Sequence, residues 1–114
     1  MQKKILVMSD IHNARSCASA IIEANADADA VIFLGDGERN FEAALSVCGI
    51  VPDEDGRVKV FQVAGNCDWA SMKPGTITRF ISGIKICITH GHAYYVKDES
   101  GIQSLGRNAA AKGC

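Results

Sequence analysis

Four apolar runs in this chain each lead into a short segment built from metal-ligand side chains. These segments contain all 3 histidines of the chain. They are Asp10-Ile11-His12, Gly35-Asp36, Gly65-Asn66-Cys67-Asp68 and His90-Gly91-His92. In open sheets with parallel strands, ligands collect beyond the carboxyl ends of the strands. The spacing therefore predicts a fold that brings four distant segments to one edge of a sheet.

The order of apolar and alanine-rich segments predicts the architecture. Predicted strands cover 4–8, 30–34 and 58–63, and predicted helices cover 14–26, 41–48 and 100–112. Strands at 76–81 and 84–89, joined around Ser82-Gly83, are typical of a β-hairpin. Asn40 is predicted to cap the second helix, which Gly49 ends. Strands that alternate with helices form a parallel core, and the hairpin adds antiparallel strands, so we expect an α/β protein.

Composition limits the classes of function. The 114 residues, 47% hydrophobic, predict a single domain over 1–114. A net charge of −1 without a Lys/Arg block argues against non-specific binding of nucleic acid. The apolar stretch from Ile5 to Met8 is too short for a signal peptide or a membrane span. Five separated cysteines without a Cys-x-x-Cys pair argue against a disulfide framework, and we expect a cytoplasmic protein without membrane contact.

The donor types suit divalent cations. Asp10 and His12 are two residues apart, so in extended conformation both side chains point the same way and can chelate one ion. The carboxylate of Asp36 has two oxygens that can bridge two ions. Asn66 and His90 add an amide oxygen and an imidazole for a second ion. Each motif alone has a structural explanation, such as capping of a turn, but their joint occurrence favours a metal site.

The four motifs, in this order, resemble those of the calcineurin-like metallophosphoesterases, most closely the small bacterial and archaeal phosphodiesterase branch (the YfcE-like group). The resemblance covers the whole chain. It implies a sandwich of two mixed β-sheets flanked by helices, with a dinuclear metal centre at one end. It also implies that Asp10 and His12 bind the first ion, that Asp36 bridges, and that Asn66 and His90 bind the second. His92 resembles a residue that contacts substrate or the attacking water.

Two departures from the family pattern matter. Cys67 stands where many larger relatives have a histidine that protonates the leaving group, which predicts a preference for good leaving groups; a space-filling role stays open. Asp68 is expected to orient its neighbours. No histidine follows His92, so the final Gly-His-x-His motif and the last strands of the family are missing. For a chain truncated in this way we expect weaker metal affinity, lower stability and self-association through an exposed sheet edge.

The leading hypothesis is hydrolysis of a small phosphodiester by a hydroxide that two metal ions activate, with Asp36, Asn66 and His92 as catalytic residues. Mn²⁺ is the first choice because the ligands are oxygen-rich and lack thiolate, with Mg²⁺, Ni²⁺ or Zn²⁺ as alternatives. A phosphomonoesterase or nucleotidase on the same site stays open, as does an inactive scaffold like the retromer subunit of the superfamily. The segment 69–74 is a candidate pocket wall. Trp69 and Tyr94 or Tyr95 are candidate stacking surfaces, although packing also explains them.

Overall fold

Three short strands form a parallel sheet in the computed structural model, which describes residues 2–92, 97 and 99–114. The strands are β1 (Ile5–Met8), β2 (Ala30–Phe33) and β3 (Lys59–Gln62), in the order β1-β2-β3. Helices α1 (Arg15–Ala24) and α2 (Glu38–Val47) follow the first two strands. In register, Ile5 lies opposite Ala30, and Ala30 lies opposite Lys59. The predicted βαβ arrangement is confirmed.

An antiparallel hairpin forms the second sheet. Its strands are β4 (Thr76–Ile81) and β5 (Ile84–Thr89), with Ile81 opposite Ile84. The turn residues Ser82 and Gly83 both have positive φ, 51° and 81°, as a two-residue hairpin turn requires. Helix α3 (Glu99–Ala111) is the last described element. The α/β fold class is confirmed; among the described residues, one sheet is wholly parallel and the other wholly antiparallel.

The central strand β2 is buried on both faces, and its side chains alternate between the two. On one face Phe33 packs against α2, where its ring stacks on Phe41 with centroids 4.3 Å apart, and neither residue is exposed. On the other face Ile32 belongs to a cluster with residues of the hairpin, Ile77 and Ile88 among them. This double burial explains why β2 is apolar throughout. None of the described helices has the length and hydropathy needed to cross a membrane.

Helix α2 begins earlier than the sequence predicts. Gly37, with φ of 127°, takes the N-cap position, so the prediction of Asn40 as cap is wrong. The N–H groups of Gly37 and Glu38 instead donate to the carboxylate of Asp68, 2.9 and 3.2 Å away. A distant side chain therefore replaces the local cap. The predicted end of the helix is confirmed, since Gly49 has a φ of 72° and donates to the carbonyl of Ser46.

Candidate metal centre

The segments that follow β1, β2, β3 and β5 meet at one edge of the fold. Asp10, Asp36 and His90 each offer a ligand atom, and these atoms all lie within 4.8 Å of one another. Asn66 joins them because its Oδ1 lies 3.0 Å from Nε2 of His90. Four of the five predicted metal ligands are therefore neighbours, as expected from their positions after the carboxyl ends of strands.

His12 is not in the group of three that lies within 4.8 Å. The assumption of an extended backbone from Asp10 to His12 is wrong, because their φ angles are 55° and 44°. The N–H of Asp10 donates to the carbonyl of Gly35, and the N–H of His12 to that of Asp36, at 2.9 and 3.1 Å. These bonds between loops hold the turned backbone. His12 is exposed, and its role as a ligand stays a prediction.

Asp36 is the buried acid of the site, 3% exposed. Its Oδ1 accepts the N–H of Cys67 at 2.7 Å, and its Oδ2 lies 3.3 Å from Nε2 of His90. A buried carboxylate needs compensation by hydrogen bonds or by a positive charge. The glycines of the two loops make room for it: a Cβ on Gly65 would collide with the Asp36 carboxylate, and one on Gly35 would collide with the backbone of Gly65.

The ring of His90 is oriented as a metal ligand. Its Nδ1 lies 2.8 Å from the carbonyl oxygen of Leu34, and since a carbonyl only accepts, Nδ1 carries the proton. In the neutral ring, Nε2 then directs a lone pair towards Asp36 Oδ2 and Asn66 Oδ1. Lone pairs on these three atoms repel one another. A proton on Nε2, or a cation bound between Nε2 and the two oxygens, removes this repulsion. Metal-binding histidines commonly donate their other N–H to a carbonyl in this way, so the residues fit a divalent cation.

Asp68 ties two of the loops together. Its carboxylate accepts N–H groups from Asp36, Gly37, Glu38 and Gly65, at 2.8, 2.9, 3.2 and 2.9 Å. Burial raises the pKa of Asp68, but the four hydrogen bonds together lower it by a larger amount. The net pKa therefore lies below its usual value. The carboxylate therefore stays ionised and fixes the backbone on both sides of the buried acid, as its predicted orienting role requires.

Cys67 is exposed beside the acids of the site. Desolvation raises the pKa of its thiol, and the carboxylates of Asp36, Asp68 and Asp10 raise it further. The thiol therefore keeps its proton at neutral pH. A protonated thiol can donate to a leaving oxygen, although it remains a weaker acid than an imidazolium.

An open groove of about 420 Å³ lies beside these residues. His12 and Cys67 belong to its wall, and Trp69, Ala70 and Ser71 form part of it, so half of the predicted wall segment lines a groove. His92 is exposed, with its ring centroid 5.4 Å from that of His90, and it is not among the lining residues. Tyr94 and Tyr95 lie outside the described residues.

Two supporting residues escaped the sequence reasoning. The hydroxyl of Ser9 donates to Oδ2 of Asp10, and its position next to that acid was an available signal. Asn40 donates through Nδ2 to the carbonyl of His12 at 2.6 Å. Its partner lies 28 positions away in the chain. No local pattern indicates such a contact.

Comparison with known proteins identifies a family and a similar fold. Residues 3–114 match the calcineurin-like phosphoesterase superfamily domain. The fold is similar to the crystal structure of a conserved uncharacterized protein, a predicted phosphoesterase, from Streptococcus pneumoniae TIGR4, with a TM-score of 0.63 and 23% identity. The match covers 95% of this chain, which spans 57% of that structure, and at this identity it shows the fold alone. No match was found among curated proteins.

Proposed function

The chain belongs to the calcineurin-like phosphoesterase superfamily, and we propose that it hydrolyses small phosphodiesters with the help of two divalent cations. One observation carries the proposal. Acceptor atoms converge at the end of the sheet: those of Asp10, Asp36 and His90 lie within 4.8 Å of one another, and Oδ1 of Asn66 lies 3.0 Å from Nε2 of His90. A cation is the simplest partner for such a set of lone pairs.

Asp10, Asp36, Asn66 and His90 would hold the cations, and we propose His12 as a further ligand. Mn²⁺ is the expected metal because the donors are carboxylate, amide and imidazole. Bound cations supply Lewis acidity, which lowers the pKa of water and neutralises the charge on phosphoryl oxygens. The chain itself has a net charge of −1, so the bound cations would supply the positive charge that attracts a phosphate ester.

The protein's own residues would divide the remaining work. Asp36, held by the N–H of Cys67, would bridge the two cation positions. His92 would contact the phosphate from the exposed side. As water attacks phosphorus and the ester P–O bond breaks, Cys67 would give its proton to the leaving oxygen. The thiol is a poor acid, so the reaction would favour alcohols that leave readily.

The groove of about 420 Å³ adjoins the acids and gives an esterifying group of the substrate a place to lie. The groove includes Cys67, so we propose that it receives the leaving group. We also propose that residues 1–114 act as one domain and that the protein works in the cytoplasm.

The test measures hydrolysis of bis(4-nitrophenyl) phosphate and of 4-nitrophenyl phosphate, with and without Mn²⁺. We expect metal-dependent turnover of the diester that exceeds turnover of the monoester. Asp36→Asn should abolish turnover and lower the number of bound Mn²⁺ ions measured by calorimetry. The matched control is Asp53→Asn, because Asp53 is an exposed acid whose Oδ1 accepts only the nearby N–H of Asp55 among the described contacts.

Preferred hydrolysis of the monoester would replace the proposal with a phosphomonoesterase on the same site. Absence of both turnover and Mn²⁺ binding would leave the scaffold hypothesis as the better account.

A further inference from the structure

Among the described residues of the groove beside the candidate metal centre, the acidic side chains have partners but one basic side chain does not. Its acids already have partners: Glu38 accepts from Nζ of Lys73 at 2.7 Å, and Asp68 accepts four backbone N–H groups. Arg39 also lines the groove, and its guanidinium forms no hydrogen bond or ion pair within the described part of the chain. The unpaired charge on this wall is therefore positive.

The same groove carries an exposed aromatic ring. Trp69 is 92% exposed, although it follows directly on Asp68, whose carboxylate is fixed by four hydrogen bonds. The backbone beside the indole is thus anchored while the ring itself meets solvent. Trp69 is also the single tryptophan of the chain. An anchored, uncovered indole suits stacking with an aromatic base.

We propose that Arg39 and Trp69 select a leaving group that carries both an aromatic base and an anion of its own. This inference rests on the proposed function and names its substrate class: a nucleotide diester whose leaving alcohol is a phosphorylated nucleoside. Hydrolysis adds water across the ester P–O bond, and the released alcohol, such as adenosine 5′-monophosphate, takes up one proton. The guanidinium binds its phosphate and the indole stacks on its base.

Binding of the released alcohol gives a direct test, because fluorescence from the single tryptophan reports on the groove alone. We expect adenosine 5′-monophosphate to quench Trp69, with adenosine and ribose 5-phosphate each binding at least about tenfold more weakly, as the loss of one charged hydrogen bond or one stacking contact implies. Arg39→Ala should erase the advantage of the monophosphate over adenosine, and Arg39→Lys should restore part of it. Met72→Ala, at a 98% exposed position outside the lining residues, is the control.

Turnover gives the second measurement. The wild type should hydrolyse the 5′-phosphorylated dinucleotide pApA about tenfold faster than ApA, in kcat/KM, and Arg39→Ala should bring that ratio to one through KM. Trp69→Ala should slow both dinucleotides, whereas Trp69→Phe should retain most of the rate. Turnover of bis(4-nitrophenyl) phosphate should stay metal-dependent in all Arg39 variants.

The outcomes separate this inference from the proposed function. Metal-dependent turnover of the aryl diester together with a pApA to ApA ratio of one in the wild type would overturn the inference and leave the function standing. Absence of turnover with every ester would remove the function. In that event, unquenched fluorescence with adenosine 5′-monophosphate would overturn the inference as well.

Discussion

The parallel layer (residues 5–68) and the hairpin region (the described residues 76–92, 97 and 99–111) both contribute to the candidate site, but they are packed very differently. The parallel layer packs its helices on a sheet in which Phe33 and Phe41 have no exposed surface. In the hairpin region Phe80 and Ile84 are each 67% exposed, and Gly101 is the buried residue of α3. One part thus has a core of its own, while the other depends on the face against which it packs.

The residues of the candidate site also come from these two regions. Asp10, Asp36 and Asn66 come from the parallel layer, where hydrogen bonds between loops hold the backbone. His90 comes from the end of β5 and reaches the parallel layer through its bond to the carbonyl of Leu34. The difference teaches that most of the site is preformed by the parallel layer, and that the docking of the hairpin completes it.

The largest effect should distinguish the core of the parallel layer from the exposed side of the hairpin. Phe41→Ala leaves a cavity beside the stacked ring of Phe33 and should lower the free energy of unfolding by about 3–5 kcal/mol. Phe80→Ala, on the exposed side of the hairpin, should change it by less than about 0.5 kcal/mol. Urea denaturation followed by circular dichroism measures both. Equal losses would show that the two regions share one core and would break the comparison.

The next effect concerns the loops of the parallel layer. Asp68→Asn replaces the ionised acceptor of four N–H groups and should lower the free energy of unfolding by roughly 2–3 kcal/mol. Because the pKa of Asp68 is lowered in the folded state, its contribution is present above the usual pKa of 3.8 and is lost as pH falls through the folded value. Urea denaturation in EDTA should therefore show wild type and variant converging below about pH 4. A gap that does not narrow as pH falls below the usual pKa of 3.8 contradicts this.

A smaller effect should show the dependence on docking. His90→Ala removes the one proposed ligand that the described part of the hairpin region supplies. It should weaken Mn²⁺ binding by at least about tenfold, because loss of a residue that merely hydrogen-bonds to a metal ligand already costs about that much. The fold of the parallel layer should be retained, as measured by circular dichroism. His92→Ala should leave Mn²⁺ affinity within about twofold while lowering kcat. Calorimetry that finds equal affinity losses for the two variants would assign His92 to the metal.

The smallest effect concerns the link between the regions. Lys73 precedes β4 and pairs with Glu38 and Glu42 of α2, at 2.7 and 3.1 Å. Burial lowers the pKa of Lys73, but the two acids raise it more, so the net pKa lies above 10.5. The stabilisation is thus complete below pH 10.5 and is lost as pH rises through the folded value. Lys73→Met should cost about 0.5–1 kcal/mol at pH 7, and this cost should shrink as pH rises above 10.5. A loss independent of pH would indicate packing of the stem instead.

The sequence predicted the strands well because their signals are local. The apolar run of β2 reflects burial on both faces, and the hairpin bounds follow from Ser82-Gly83. The convergence of Asp10, Asp36, Asn66 and His90 followed from their positions at strand ends. Contacts across the chain set the rest: Asp68 caps α2 from 30 residues away. Carbonyls of the loop after β2 likewise turn the backbone at His12, so neither feature has a local pattern.

The cap that Asp68 provides also has an electrostatic consequence. The amino end of a helix carries a partial positive charge and often receives a phosphate group. In α2 the protein's own carboxylate takes that position, through the N–H groups of Gly37 and Glu38. An incoming phosphoryl group therefore finds this helix dipole already neutralised. Under the proposed function, bound cations would meet the charge of the reacting phosphoryl group, so hydrolysis should depend on metal supply even where Arg39 holds a second phosphate.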